Sequence, residues 1–143
     1  MITHLSHANV WVLDQDRALE FYTEKLGFEV RTDVTMDDFR WLTVGPKSQP
    51  DVQMILGSPA PPMLPPEDGE TVRRLVAKGI FGSGVLATDD CRATYEELKA
   101  RGVEFLQEPA ERPYGIEAIL RDDSGNWFSL TQAKTDAQGR PGG

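Results

Sequence analysis

One cysteine, two histidines and no apolar run near the roughly 20 residues that a bilayer span requires mark this chain of 143 residues. Each scarcity removes a class of function. The lone Cys91 cannot close an internal disulfide, and it rules out a zinc site built on paired cysteines. Set within a helical pattern, it reads as a packing residue. Basic residues are also few: 15 Lys and Arg stand against 23 Asp and Glu, a formal net charge of −8. That balance argues against nucleic acid, whose phosphates are met by clustered Lys and Arg. It mildly favours a cationic ligand and mainly aids solubility. The opening "MITHLSHANV" has neither a basic n-region nor an apolar h-region, so a soluble, cytoplasmic protein with no membrane partner is expected.

What the chain does have is an internal repeat. The stretch "DQDRALEFYTEKLGFEV" from Asp14 lies without gaps on "DDCRATYEELKARGVEF" from Asp89, matching Arg17 to Arg92, Ala18 to Ala93 and Gly27 to Gly102. Asp14 and Asp89 are expected to cap two helices, since a short carboxylate accepts hydrogen bonds from the first free N–H groups. Ala18, Tyr22 and Leu26 recur at helical spacing, as do Cys91, Tyr95 and Leu98, giving each helix one apolar stripe. Gly27 and Gly102 end the helices, where a left-handed residue is needed.

Strand-like runs surround each helix. "HANVWVL" alternates, placing His7, Asn9 and Trp11 on one face and Ala8, Val10 and Val12 on the other, which should pack on the helix. "FEVRTDVTM", "FRWLTVG" and "VQMILG" follow in the first copy, and "FGSGVLAT", "VEFL", "IEAILR" and "NWFSLTQ" in the second. Each copy therefore reads β-α-β-β-β. The expected organisation is an α+β chain with a first module over 1–57, a proline-rich linker over 58–79, a second module over 80–133 and a flexible polar tail over 134–143. Within the linker "ETVRRLVAK" suits a short helix, while the prolines before it forbid a central strand. The pairs Asp37/Asp38 and Asp122/Asp123 look like turn residues.

Two such modules, with "DRALEFYTEKLGF" after the first strand and "DDSGNWFSLTQ" at the end, resemble the vicinal oxygen chelate superfamily. It includes glyoxalase I, extradiol dioxygenases, fosfomycin-resistance enzymes and drug-binding proteins of the bleomycin-resistance type. The resemblance covers roughly Leu5 to Gln132 and implies mixed sheets curling around a cup-shaped cavity, often in a homodimer. It also implies where metal-dependent members place their ligands. His7 falls on the first position, Gln53 on the second, Ser83 on the third and Ser129 on the fourth. Only the first is a usual donor to a divalent ion, because neutral amides and hydroxyls are poor substitutes. No metal or other cofactor is therefore expected.

The lining of the cup remains. Alternation turns Gln53 and Ile55 to the same side as His7, Asn9 and Trp11, and adds Phe39, Trp41 and Thr43 from the middle strand and Trp127, Ser129 and Thr131 from the last. Tyr114 in "RPYGIEA" would sit at the rim or form a simple turn. Aromatic walls with a few polar groups suit a small-molecule pocket, and indoles suit a flat ligand. The expected ligand-binding set is His7, Asn9, Trp11, Phe39, Trp41, Gln53, Ser83, Tyr114, Trp127 and Ser129. The chain thus reads as a binding protein for a hydrophobic aromatic compound, such as an antibiotic or natural product, with no catalytic residue assigned. The rival reading is a glyoxalase- or dioxygenase-like enzyme using a divalent metal or His7 as acid/base.

Overall fold

In the computed structural model, residues 1–135 are described. The first module runs β1 (His7–Trp11), α1 (Gln15–Glu20) continued by a π-helical turn (Phe21–Lys25), β2 (Glu29–Met36), β3 (Phe39–Gly45) and β4 (Gln53–Gly57). After α2 (Pro66–Ala77), the second runs β5 (Gly82–Ala87), α3 (Cys91–Ala100), β6 (Glu104–Arg112), β7 (Gly115–Arg121) and β8 (Trp127–Ala133). Each module forms a four-stranded mixed sheet, in the orders β1-β4-β3-β2 and β5-β8-β7-β6. The first and last strands of a module pair in parallel and the others antiparallel.

The described residues divide into two compact units, Met1–Phe81 with Asp123–Asn126, and Gly82–Asp122 with 127–135. In the first, Val10, Val12, Leu42, Val44 and Leu56 are buried together with Ala18, Phe21 and Tyr22 of the helix. In the second, Ala118, Leu120, Phe128 and Leu130 are buried with Cys91, Tyr95 and Leu98. Alternation explains both cores on β3, β7 and β8 and from Val10 onward in β1, and each large side chain so buried contributes about 2 kcal/mol. Ala8, expected on the same side, is exposed at the strand start.

The helices differ by one residue, and here the gapless repeat needs correction. Asp14 caps α1 by accepting from the Arg17 N–H at 3.0 Å, but α3 is capped by Asp90, which accepts from the Ala93 N–H at 3.0 Å. Asp89 lies one residue outside. Both helices still end at a glycine with positive φ, 76° at Gly27 and 90° at Gly102. The first helix must therefore fit an extra residue between the same landmarks. It does so in the π-turn, where the Leu26 N–H donates to the Phe21 carbonyl at 3.2 Å, five residues back.

Two other elements are longer than the sequence suggests. Strand β6 continues past "VEFL" to Arg112, through Pro109. It is an edge strand, and its pairing is irregular between Gln107 and Ala110, where the missing proline N–H breaks no ladder bond. Helix α2 starts at Pro66, two turns of acidic and polar sequence before its apolar positions, and falls within the first unit. Proline at a first helical position costs nothing because that N–H has no intrahelical partner. The expected flexible tail lies outside the described residues except for Lys134 and Thr135. Among the described residues, no helix is long and apolar enough to cross a membrane.

Candidate functional site

The sheet face turned away from the helix carries most of the expected residues, and each unit has its own. In the first unit β1 pairs with β4 in the register His7 to Gln53, Asn9 to Ile55 and Trp11 to Gly57. Paired residues share a face. On β3, Thr43 pairs with Ile55, which brings Trp41 and Phe39 to the same side. The aromatic rings form a chain there: His7 lies 5.9 Å from Trp41 and Trp41 lies 6.4 Å from Phe39, both pairs tilted by nearly half a right angle. His7 Nδ1 is also 2.9 Å from the Ser6 hydroxyl. These three rings are only half-buried, so part of each is reachable from solvent.

Gly57 makes room for two of these groups. A Cβ at that position would come within 2.5 Å of Asn9 Oδ1 and 3.3 Å of Trp11 Cζ3. A bare backbone thus lets both side chains lie across β4.

In the second unit the same face holds Trp127, Ser129 and Thr131 of β8, opposite Arg121, Ile119 and Glu117 of β7. The Trp127 indole rests on Gly82, where a Cβ would meet Cζ2 at 2.4 Å. Ser83 falls in the bulge between Gly82 and Gly84, so its strand loses register where the resemblance aligns a ligand. Tyr114 occupies the tight β6–β7 turn and is half-exposed.

Sequence reading missed one residue of this face. The Glu117 carboxylate accepts from the Ser129 hydroxyl at 2.6 Å through Oε2 and from the Tyr114 hydroxyl at 2.7 Å through Oε1. Ser129 also lies 2.6 Å from the Thr131 hydroxyl, and Arg112 Nε is 3.9 Å from Glu117 Oε1. The Ser129 bond above all, with that of Tyr114, holds the Glu117 carboxyl below the usual carboxylate range. The same contact pushes the Tyr114 phenol up. Because the folded state lowers the Glu117 pKa, the resulting stabilisation is present above the ordinary carboxylate pKa and is lost as pH falls through the depressed one. The signal was available: in "IEAILR" the helix-facing Ala118 and Leu120 put Glu117 on the opposite face.

These residues do not fit a divalent metal. Across the four positions aligned by resemblance, His7 alone carries an imidazole or carboxylate. Gln53 Oε1 accepts from the Thr43 hydroxyl at 2.7 Å, and Ser129 is engaged by Glu117 and Thr131. Among the described residues, no three His, Cys, Asp or Glu side chains gather as a metal-holding group. A depression of about 500 Å³ does open in the second unit, lined by Arg112, Ile116, Gln132 and Lys134 among others. None of the expected ligand-binding residues lines it.

Paired β-α-β-β-β modules with mixed sheets, each presenting a polar and aromatic face, define a fold used for both small-molecule binding and metal-dependent chemistry. The chain belongs to the Glyoxalase/Bleomycin resistance protein/Dioxygenase superfamily, whose sequence model matches residues 4–130. Among solved structures, UcmS2 is 56% identical, with 93% of this chain and 100% of that one covered and a TM-score of 0.89. TnmS3, an antibiotic binding protein from Streptomyces sp. CB03234, is 32% identical over 93% of this chain and 98% of that one, with a TM-score of 0.74. The Bacillus subtilis protein YurT is 35% identical over 125 residues, covering 87% of this chain and 94% of the relative.

Proposed function

We propose that the chain is a metal-independent small-molecule-binding protein that holds a flat aromatic compound of the antibiotic or natural-product kind. The observation that carries this reading is the half-buried ring series His7, Trp41 and Phe39 on one open sheet face. Stacking on such rings adds about 1 kcal/mol per aromatic pair beyond burial, and needs no ion. Asn9, Trp11 and Gln53 supply an amide edge and a further indole on that face. On the second sheet Ser83, Tyr114, Trp127 and Ser129 offer hydroxyls and one more indole. The similarity to TnmS3, an antibiotic binding protein, supports the same reading. In this proposal the protein is cytoplasmic and works as a homodimer, sequestering its ligand rather than converting it.

Tryptophan emission tests it. Titration with a panel of polycyclic aromatic natural products should quench emission and saturate for at least one compound, and Trp41→Ala should weaken that binding about tenfold or more. A flat response across the panel would exclude the reading.

Metal content gives a second check. Untagged protein incubated with Ni, Zn, Fe(II) or Mn and then desalted should retain well under one ion per chain by elemental mass spectrometry. Near-stoichiometric retention would reinstate metal-dependent chemistry.

A further inference from the structure

We infer that Glu117 is a specificity residue, which selects aromatic ligands bearing a hydroxyl or amine hydrogen-bond donor at one end. This inference rests on the binding reading above and adds the chemical class of the ligand. A carboxylate on a binding face accepts hydrogen bonds at about four lone-pair sites. Ser129 and Tyr114 fill one each, on different oxygens, and Arg112 is too far at 3.9 Å for a hydrogen bond. Acceptor capacity is left over, and the side chain keeps 17% of its exposure, so a ligand can reach it.

The two hydroxyls fix the carboxylate in place before any ligand arrives. Ser129 is itself held by Thr131 at 2.6 Å, so the chain of donors and acceptors leads from β8 to β7 and ends at Glu117. An ionised acceptor oriented in this way favours a donor over its methyl ether, because the ether would leave the carboxylate desolvated and unpaired.

Register sets the reach. Glu117 lies opposite Thr131, and Trp127 stands four residues from Thr131 along β8, about 13 Å at ordinary strand rise. The indole leans onto Gly82 of β5 while Glu117 stands on β7. The ligand would therefore lie across β8, its ring toward the indole and its terminal hydroxyl at the carboxylate.

Isothermal titration calorimetry with a matched pair, 2-hydroxyfluorene and 2-methoxyfluorene, tests this. The wild-type chain should bind the hydroxyl compound about tenfold more tightly than its methyl ether. Glu117→Gln, nearly isosteric, should reduce that preference to under threefold, in part by raising affinity for the ether, since no charged carboxylate is then left desolvated beneath it. Should that variant fail to fold, the pH dependence of the wild-type preference replaces it. The preference should then vanish as Glu117 is protonated at low pH, with ether binding retained. Binding of both probes without a preference, or a preference that survives both Glu117→Gln and acid, overturns this inference alone. If neither probe binds, this inference falls, while the binding reading is decided by the wider panel above.

Discussion

Replacing Phe128 by alanine should lower the free energy of unfolding by about 3–5 kcal/mol, the largest loss expected from any single truncation in the second unit. Phe128 retains 1% of its exposure and lies on β8, the strand held between β5 and β7. Its ring points to the side occupied by Cys91, Tyr95 and Leu98 of α3. Removing it takes away the transfer energy of the ring and leaves a cavity that a strand fixed on both edges cannot collapse to fill. Phe128→Leu keeps most of the volume and should cost only about 1–1.5 kcal/mol. Urea unfolding followed by circular dichroism measures both. A loss below about 1 kcal/mol for the alanine variant would mean that β8 is not packed as described.

Gly125→Ala should be nearly as damaging, by a different route. Gly125 has φ +123°, a conformation that residues with a Cβ rarely adopt, and an added Cβ would stand 2.3 Å from the Val76 carbonyl oxygen. That oxygen belongs to backbone near the end of α2 and cannot swing aside. Conformational strain of about 1–3 kcal/mol and the steric conflict add, so a loss of about 3 kcal/mol or more is expected. Gly27 supplies the control. It too has positive φ, at 76°, yet nothing lies within 4 Å of its missing Cβ. Gly27→Ala should therefore cost only about 1 kcal/mol, the price of the left-handed conformation alone. Equal losses at the two sites, measured by thermal unfolding, would contradict the close approach at Val76.

Much of this architecture was legible in the sequence because two periods repeat. Alternation in "HANVWVL" and "NWFSLTQ" separated a helix-packed side from an open side, and the stripes Ala18–Tyr22 and Cys91–Tyr95–Leu98 marked the helices that cover it. Gly27 and Gly102 were readable as helix ends since their backbone conformation demands glycine. The cap of α3 was not, because Asp89 and Asp90 are chemically identical candidates and only the hydrogen bond to Ala93 distinguishes them. Nor could a gapless comparison reveal that one helix holds an extra residue in a π-turn. The length of β6 was hidden by Pro109, which excludes a central strand but not an edge. Glu117 escaped notice for another reason. A charged residue in an apolar run looks like solvent exposure until its partners, contributed by a neighbouring strand and a turn, are known.

The three tryptophans divide unevenly between the units, with Trp11 and Trp41 in the first and Trp127 in the second. Exchanging Trp127 for phenylalanine leaves emission from the first unit only, and exchanging the other two leaves a single reporter in the second. Denaturation curves from the two variants, corrected for their own stabilities, would coincide if the whole chain unfolds in one cooperative step and would separate if each half melts by itself. The distribution of indoles thus supplies a native pair of optical probes for asking whether a duplicated chain has become one thermodynamic unit.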